Sequence, residues 1–395
     1  MTDKYLVEPD LGFVREVVGL GGESLKKCFQ CATCSVACPI SPDNKPFPRK
    51  EMIAASWGLK DKLVKNADIW LCHQCGDCST LCPRDARPGD VLSAVRSVAI
   101  AEYGVPKQIP ALGFFAKAVN DQSKLPILLA IPAIWFALMS LITNVLRGPL
   151  TKLLGHHWTH GVDPTAIAHS NFISTWLIDL TFVPLVTCVM IIFALGLMRF
   201  VKDIHENAVL EGKTATPDFD LKAFLGTLVP VIMTILKHDK FEKCSENRER
   251  STAHMMVLYG FIGCAIVTGL AVILLYLFGV PGPYSQLTPF KWLANISGIA
   301  IIIGSALMIK NRMDKTNQSN SYKDWYLLWV VLGIGLSGML AEMTRLGELK
   351  FLSFLIYYIH LILVFTLFAY VPFSKMAHFV YRTVALMYAE YAKRK

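Results

Sequence analysis

Two cysteine runs of the same spacing restrict the fold of this chain more than any other feature. Both follow the pattern C-x2-C-x2-C-x3-C-P, and their members are Cys28, Cys31, Cys34, Cys38, Cys72, Cys75, Cys78 and Cys82. In this pattern three closely spaced thiolates surround one [4Fe–4S] cubane, and the fourth cysteine reaches the other cubane. The sequence therefore predicts two clusters that exchange one ligand each. The first set is Cys28, Cys31, Cys34 and Cys82, and the second set is Cys72, Cys75, Cys78 and Cys38.

Zinc is the alternative metal for such a dense set of thiolates. Four-thiolate zinc sites need neither a third cysteine at this spacing nor the closing proline, so iron–sulfur clusters are favoured. Eight of the 11 cysteines lie in the two runs. The first residues lack the basic-then-apolar layout of a secretory signal. This predicts a reducing, cytoplasmic setting, in which cysteines bind metal rather than form disulfides.

The segments beside the cysteine runs have a helical rather than a strand pattern. Apolar residues in 48–58 and 89–103 recur at helical spacing, and neither segment alternates apolar and polar residues. We therefore expect residues 1–110 to form a helical ferredoxin domain that holds both clusters.

The remainder of the chain has the composition of a membrane domain. The sequence is 53% hydrophobic, and long uncharged runs dominate after residue 126. A helix needs about 20 apolar residues to cross the hydrocarbon core. Six segments meet this length, so we predict an all-α fold with a six-span bundle in residues 111–395. The segments are 125–146, 172–199, 253–279, 291–310, 325–346 and 351–373.

The connecting charges predict the orientation of the bundle. The links at 199–250 and 310–323 and the chain end at 392–395 are rich in Lys and Arg, whereas the opposite links are poor in them. By the positive-inside rule these regions face the cytoplasm, as do both termini and the cysteine domain. We expect a multi-pass protein of the inner (cytoplasmic) membrane. Topology and attraction to lipid headgroups explain the net charge of +9 without nucleic acid.

Histidines in the last spans predict b-type haem, because paired imidazoles in a helical bundle commonly ligate it. His360 and His378 are 18 residues apart, which is five turns of one continuous helix. His254 lies at the level of His378 and pairs with it at an inner haem, with His238 as a less favoured candidate. Basic residues near this pair are suited to haem propionates, namely Arg248, Arg250, Lys375 and Arg382.

A second, outer haem would use His360, and its partner is less well defined. His169, just before the second span, has a suitable depth. A five-coordinate haem or ligation by Cys264 stays open.

Three charged residues near the level of His360 are candidates for a quinone site. They are Asp179, Glu342 and Arg345. Ionisable groups at such depth are functional candidates, because quinone chemistry moves protons with electrons. Glu342 and Arg345 are one helical turn apart, so a purely structural ion pair is the alternative.

Several stretches resemble a known family. They are the cysteine runs, His238-Asp-Lys-Phe-Glu-Lys-Cys244, Ala253-His-Met-Met-Val-Leu-Tyr-Gly-Phe261, Ser337-Gly-Met-Leu-Ala-Glu-Met-Thr-Arg345 and the last two histidines. The family is the C subunit of the quinone-interacting membrane-bound oxidoreductase complex (Qmo), which resembles a fusion of the C and E subunits of heterodisulfide reductase. The resemblance implies a cytochrome b of the nitrate reductase gamma type, menaquinone, and soluble flavin- and iron–sulfur-containing partner subunits. It also implies dissimilatory sulfate reduction, with adenylylsulfate reductase as eventual partner.

Competing functions explain fewer of these features. A solute transporter leaves the cysteines unused, and a membrane-anchored iron–sulfur redox sensor leaves the histidines unused. A haem-free membrane anchor is the remaining alternative. The sequence shows no catalytic nucleophile, flavin motif or nucleotide-phosphate loop. We therefore expect an electron-transfer subunit of a quinone-interacting oxidoreductase, with the substrate chemistry in partner subunits.

Overall fold

The computed structural model confirms the all-α fold class. It describes residues 8–154, 158–238, 249–314 and 321–394, and within these ranges it contains helices and turns but no β-strand. The N-terminal part consists of short helices around one longer helix. They are α1 (Leu11–Val17), α2 (Thr33–Val36), α3 (Arg49–Ser56), α4 (Lys60–Val64), α5 (Asp68–Leu71), α6 (Asp77–Thr80), α7 (Pro88–Gly104) and α8 (Gly113–Ala118).

Helix α7 forms the centre of the N-terminal domain. Pro88 occupies its first turn, where a missing backbone N–H costs nothing. Fourteen of its 17 residues are buried, and most of its residues are apolar or small. A helix of that kind is stable only when other elements surround it. The short helices that carry the cysteines therefore pack around α7.

Longer helices follow. They are α9 (Leu125–Val145), α10 (Arg147–Leu154), α11 (Thr175–Leu210), α12 (Leu221–Gly226), α13 (Leu228–Lys237), α14 (Glu249–Tyr276), α15 (Pro289–Asp314), α16 (Tyr322–Leu346), α17 (Lys350–Tyr370) and α18 (His378–Tyr391). Six helical segments are long and apolar enough to cross a membrane, which confirms the predicted number of spans. Their bounds are Gln122–Val145, Thr175–Leu210, Arg250–Tyr276, Pro289–Asp314, Tyr322–Leu346 and Lys350–Phe373.

Helix α11 extends well past the predicted end of its span, residue 199, and meets the N-terminal domain. Arg199 Nη2 donates to the carbonyl oxygen of Tyr103 at 2.7 Å, and the Tyr103 hydroxyl donates to Asp203 at 2.9 Å. A Cβ on Gly196 would lie 2.7 Å from the Tyr103 carbonyl oxygen, so only glycine allows this close approach. The end of α7 is therefore fixed against the membrane bundle.

One hydrophobic core continues from the N-terminal domain into the bundle. Trp70 of α5 and Phe200 of α11 lie edge to face, with ring centroids 5.8 Å apart. The ring centroid of Tyr381 of α18 lies 5.5 Å from that of Trp70. All three side chains are fully buried. The division between residues 110 and 111 stays a prediction, because the packing does not stop there.

The expectation of one continuous helix from His360 to His378 is wrong. Helix α17 ends at Tyr370, two short 3₁₀ turns follow, and α18 begins at His378. Pro372 breaks the helix because it lacks a backbone N–H and its ring clashes with the preceding turn. The Ser374 hydroxyl then accepts from the backbone N–H of Met376. The separation of 18 residues therefore does not place the two histidine side chains on one helix face.

Candidate redox centres

The cysteine thiols form two groups of four. Burial raises the pKa of Cys34 to about 11, and repulsion from Cys28, Cys31 and Cys82 contributes to that rise. Such repulsion requires that the four thiols lie close together.

The second group contains the fourth cysteine of the first run. Burial raises the pKa of Cys78 well above its usual range, with further contributions from Cys72, Cys75 and Cys38. The structure therefore groups the cysteines with the ligand exchange that the sequence predicts.

The two cysteine loops share one backbone shape. Gln30 and Gln74, each two residues after the first cysteine of its run, have positive φ angles of 66° and 52°. Ala32 and Gly76, each directly after the second cysteine, have φ angles of 71° and 103°. Left-handed conformations are unfavourable for residues other than glycine and commonly mark functional sites. The repeated turns fold each loop around a common centre.

Each of the two groups supplies the four thiolates that one [4Fe–4S] cubane requires. In the part of the chain that the structure describes, no group of three or more Cys, His, Asp or Glu side chains is close enough to hold one metal ion. The four thiolates of a cubane bind four different irons and lie farther apart than the four ligands of zinc. The donor set and the loop shape therefore fit two [4Fe–4S] clusters.

Two arginines hold the loop of the second cysteine run. Arg96 Nη1, on α7, donates to the carbonyl oxygens of Ile69 at 2.9 Å and Cys72 at 3.0 Å. Arg382, on α18, donates to the carbonyl oxygens of Cys72 and Leu71, both at 3.4 Å. The carbonyl group of one candidate cluster ligand is thus shared by cations from the domain and from the bundle.

A third arginine reaches the same loop from another helix. Arg250 Nη1, at the start of α14, lies 3.4 Å from the carbonyl oxygen of Gln74. Arg250 precedes His254 by one helical turn, and Arg382 follows His378 by one turn. Each of these two histidines therefore shares a helix face with an arginine that contacts the second cysteine loop.

The two histidines lie near each other, and a third joins them. His378 interacts electrostatically with His254, and burial lowers the pKa of His378 to about 3. Its Nδ1 atom is 2.5 Å from the carbonyl oxygen of Lys375. His254 Nδ1 is 2.9 Å from Nε2 of His238. When a partner engages Nδ1, Nε2 is directed to a metal, as in most histidine ligands.

Buried positive charge surrounds this histidine group. Asp324 accepts from Arg312 Nη1 at 3.2 Å and from Lys375. Lys323, also buried, donates to the Ser97 hydroxyl of α7 at 2.7 Å. The cations here are the buried Arg312 and Lys323 and the half-buried Arg96, Arg250, Lys375 and Arg382. Clustered guanidinium and ammonium groups form charge-assisted hydrogen bonds with carboxylates, so this region suits the two propionates of a haem. Cys244 and Arg248 lie outside the described residues.

His360 lies on α17 and has the Nδ1 arrangement of a ligand. Its Nδ1 is 2.9 Å from the Ser337 hydroxyl of α16. A Cβ on Gly338 would lie 3.2 Å from Cε1 of the ring, so the glycine makes room for it. Cys264 is the alternative ligand. None of the described contacts joins its thiol to His360, and its carbonyl oxygen accepts from the Thr268 hydroxyl.

His169 is oriented differently from the other three candidates. Its Nε2 atom is 3.1 Å from the Ser353 hydroxyl, and its ring stacks on Tyr357 with centroids 4.3 Å apart. Burial lowers the pKa of His169 to about 4, and His360 contributes to the shift. The structure therefore brings His169 near His360, but with Nε2 engaged by protein.

The quinone-site candidates lie around His169. Glu342 accepts from Arg345 and from Lys291, both at 2.7 Å, and both cations interact with His169. Asp179 accepts from a tyrosine hydroxyl, that of Tyr276 on α14. Glu342 and Arg345 form an ion pair, which was the alternative to a quinone role in the sequence. Lys291 adds a second cation to this pair.

The sequence did not indicate several of these neighbours. Ser337 and Ser353 looked like ordinary polar residues of a span, and Lys291 looked like the charged edge of one. Tyr357 is three residues before His360, and this spacing was the only available indication of its position. Their roles depend on contacts between distant segments.

These observations define a multi-pass membrane protein of electron transport with an N-terminal iron–sulfur domain. The chain belongs to the citrate utilization protein B family, which matches residues 187–395. Residues 24–86 match the 4Fe-4S dicluster domain, which supports the two clusters. No solved structure matches the chain.

Curated relatives cover the N-terminal part. The C subunit of the H(2):CoB-CoM heterodisulfide,ferredoxin reductase of Methanothermobacter marburgensis is 36% identical over 107 residues, 27% of this chain and 57% of the relative. A protein of Archaeoglobus profundus that is like the C subunit of heterodisulfide reductase is 34% identical over 87 residues, 22% of this chain and 46% of the relative. The chain thus spans about half the length of these relatives. The predicted relation to the C subunit of heterodisulfide reductase is confirmed for the N-terminal iron–sulfur domain.

Proposed function

We propose that the chain passes electrons between menaquinone in the membrane and soluble flavin- and iron–sulfur-containing partner subunits. The route runs through b-type haem, bound at two sites, and through two [4Fe–4S] clusters. His254 and His378 hold the haem near the cysteine domain. His360 holds the other, and His169 would be its second ligand on release of its Nε2 from the Ser353 hydroxyl. The resemblance to the C subunit of Qmo further supports a place in dissimilatory sulfate reduction, with adenylylsulfate reductase downstream.

The arginine contacts to the second cysteine loop carry this proposal. Arg250 and Arg382 each lie one helical turn from a candidate haem ligand and each contact the loop that holds Cys72. Haem supplies one-electron chemistry when bound, and its propionates are suited to the surrounding cations. The same side chains therefore position the histidine pair, the second cluster and the counter-charges of the haem.

The far end of the bundle supplies the groups that quinone chemistry needs. Quinol oxidation releases protons, and the Asp179 carboxylate and the Tyr276 hydroxyl form a hydrogen-bonded pair able to pass one. Glu342 is held by Arg345 and Lys291, so we assign it to fixing the positive charge near His169. Asp179 is thus the first candidate for proton transfer, with Glu342 and Arg345 as positioning groups.

The orientation is part of the proposal. Lys213, Lys323 and Arg394, which belong to the basic links and chain end, contact the cysteine domain, and the positive-inside rule predicts the cytoplasm on this side. In this orientation the cysteine domain would face cytoplasmic partners, and Asp179, Glu342 and Arg345 would lie near the opposite surface.

A reduced-minus-oxidised optical spectrum of the purified full chain tests the relay. We expect b-type haem bands in the wild type and loss of one component in His378→Ala. His205→Ala is the matched control, because the His205 ring contacts the Tyr388 hydroxyl at 2.9 Å and the Pro217 carbonyl oxygen at 3.0 Å. It should retain both haems. Absence of haem from wild-type protein with full clusters would leave the haem-free anchor or the redox sensor.

A further inference from the structure

Apolar side chains are exposed around the first cysteine set. Phe29, directly after Cys28, is 57% exposed, and Leu81, directly before Cys82, is 58% exposed. Val36, at the end of α2, is 87% exposed. Helix α2 packs against α6, so these three residues belong to one region of the domain. Grouped exposed apolar residues usually mark an interaction site.

The first set is also the more accessible of the two cysteine sets. Cys31 is exposed, whereas Cys72 and Cys78 of the second set are buried. The contacts of the second loop with Arg250 and Arg382 turn it towards the bundle. An electron that crosses both clusters would therefore leave, or enter, the domain beside Cys31.

Positive charge borders the apolar residues. Lys26, Arg49, Lys50 and Arg84 are exposed. Arg49 is tied to the first cysteine loop, since its Nε donates to the carbonyl oxygen of Gln30 at 3.1 Å. This rim is complementary to a surface rich in Asp and Glu.

A nearby ion pair does not change the sign of this rim. Lys27 Nζ lies 2.7 Å from Asp85, so these two charges largely cancel. The excess charge on the rim is therefore positive.

We propose that this surface docks a soluble electron-transfer protein of acidic surface. The surface consists of Phe29, Val36 and Leu81 with the rim of Lys26, Arg49, Lys50 and Arg84. The partner's redox centre lies within an apolar patch ringed by carboxylates. The proposal rests on the clusters of the proposed function but not on its haems. Transient redox encounters bury little area, and opposite charges accelerate them by about 10- to 1,000-fold.

Stopped-flow reduction of the clusters tests this surface. The full chain, in nanodiscs of neutral lipid, is mixed with reduced plant-type ferredoxin, an acidic protein donor. Reduced methyl viologen, a small cationic donor, reports whether the clusters are intact. For Arg84→Glu we expect reduction by ferredoxin to slow about tenfold at low salt, while methyl viologen reduces the clusters no more slowly. High salt should reduce the difference.

Two further variants make the test specific. Val36→Ser removes apolar area without changing charge and should slow ferredoxin at all salt concentrations. Lys222→Glu reverses the charge of an exposed residue on α12, away from the cysteine loops. It should leave the rates of reduction by ferredoxin and by methyl viologen unchanged.

The proposal is overturned if ferredoxin fails to reduce wild-type clusters that methyl viologen reduces, or if Arg84→Glu and Lys222→Glu behave alike. An anionic vesicle that blocks ferredoxin from the wild type but not from Arg84→Glu would instead assign the surface to lipid. A protein without haem but with the expected ferredoxin kinetics would refute the haem relay and leave the docking surface in place.

Discussion

Replacing Arg382 with Gln should lower the reduction potential of the second cluster selectively. The guanidinium group donates to the carbonyl oxygens of Cys72 and Leu71, both at 3.4 Å, and its positive charge stabilises the extra electron of the reduced cluster. A hydrogen bond that involves a charged group contributes about 1.5–3 kcal/mol of net stabilisation. If about 1 kcal/mol of this depends on the redox state, the potential falls by about 40 mV.

The molecule contains its own control for this measurement. Because Arg382 donates to the second cysteine loop, the second cluster should shift and the first cluster should keep its potential. A redox titration followed by electron paramagnetic resonance resolves the two clusters. Lys202→Gln removes one charge from an exposed site on α11 and should shift neither. Equal shifts of both clusters in Arg382→Gln, or no shift, would refute the assignment of this arginine to the second cluster.

Three further outcomes follow from the packing. Gly338→Leu should displace the His360 ring and remove one b-type component from the optical spectrum while His378 keeps the other. Burial raises the pKa of Glu51 to about 7, above its usual 4.5, so folding favours the neutral carboxyl. Wild-type stability should then fall as the pH rises from 4.5 to 7. Glu51→Gln should raise the melting temperature at about pH 8 but not at about pH 4.5. The gain at about pH 8 should be on the order of 2 kcal/mol in the free energy of unfolding. Asp68→Asn leaves Lys213, 2.8 Å away, and Arg394 without their shared carboxylate, and should cost about 3–5 kcal/mol in the free energy of unfolding.

Local patterns were sufficient for part of this architecture. Cysteine spacing gave the two clusters, because a loop around a cubane requires thiols at fixed intervals. Length and apolarity gave the six spans, because the thickness of the membrane is constant. The break before His378 could also have been predicted, since Pro372 is a strong helix breaker.

Other features depend on contacts between residues far apart in the chain. Arg96 and Arg382 are 286 positions apart, yet both donate to Cys72. Nothing local distinguishes these arginines from others at the ends of spans. His238 lies outside the spans, yet its position at the end of α13 places its ring against His254. Such contacts follow from how the helices pack, which spacing alone does not determine.

The reversed order of two sequence pairs has a geometric cause. Arg250 and His254 form R-x3-H where α14 leaves the cysteine domain for the bundle, and His378 and Arg382 form H-x3-R where α18 returns towards it. One helical turn of about 6 Å separates the members of each pair along its axis. In both helices the arginine is therefore the member nearer the cysteine loop. A reversal in only one helix would separate an arginine from the loop, so the two patterns should occur together wherever a dicluster domain precedes this bundle.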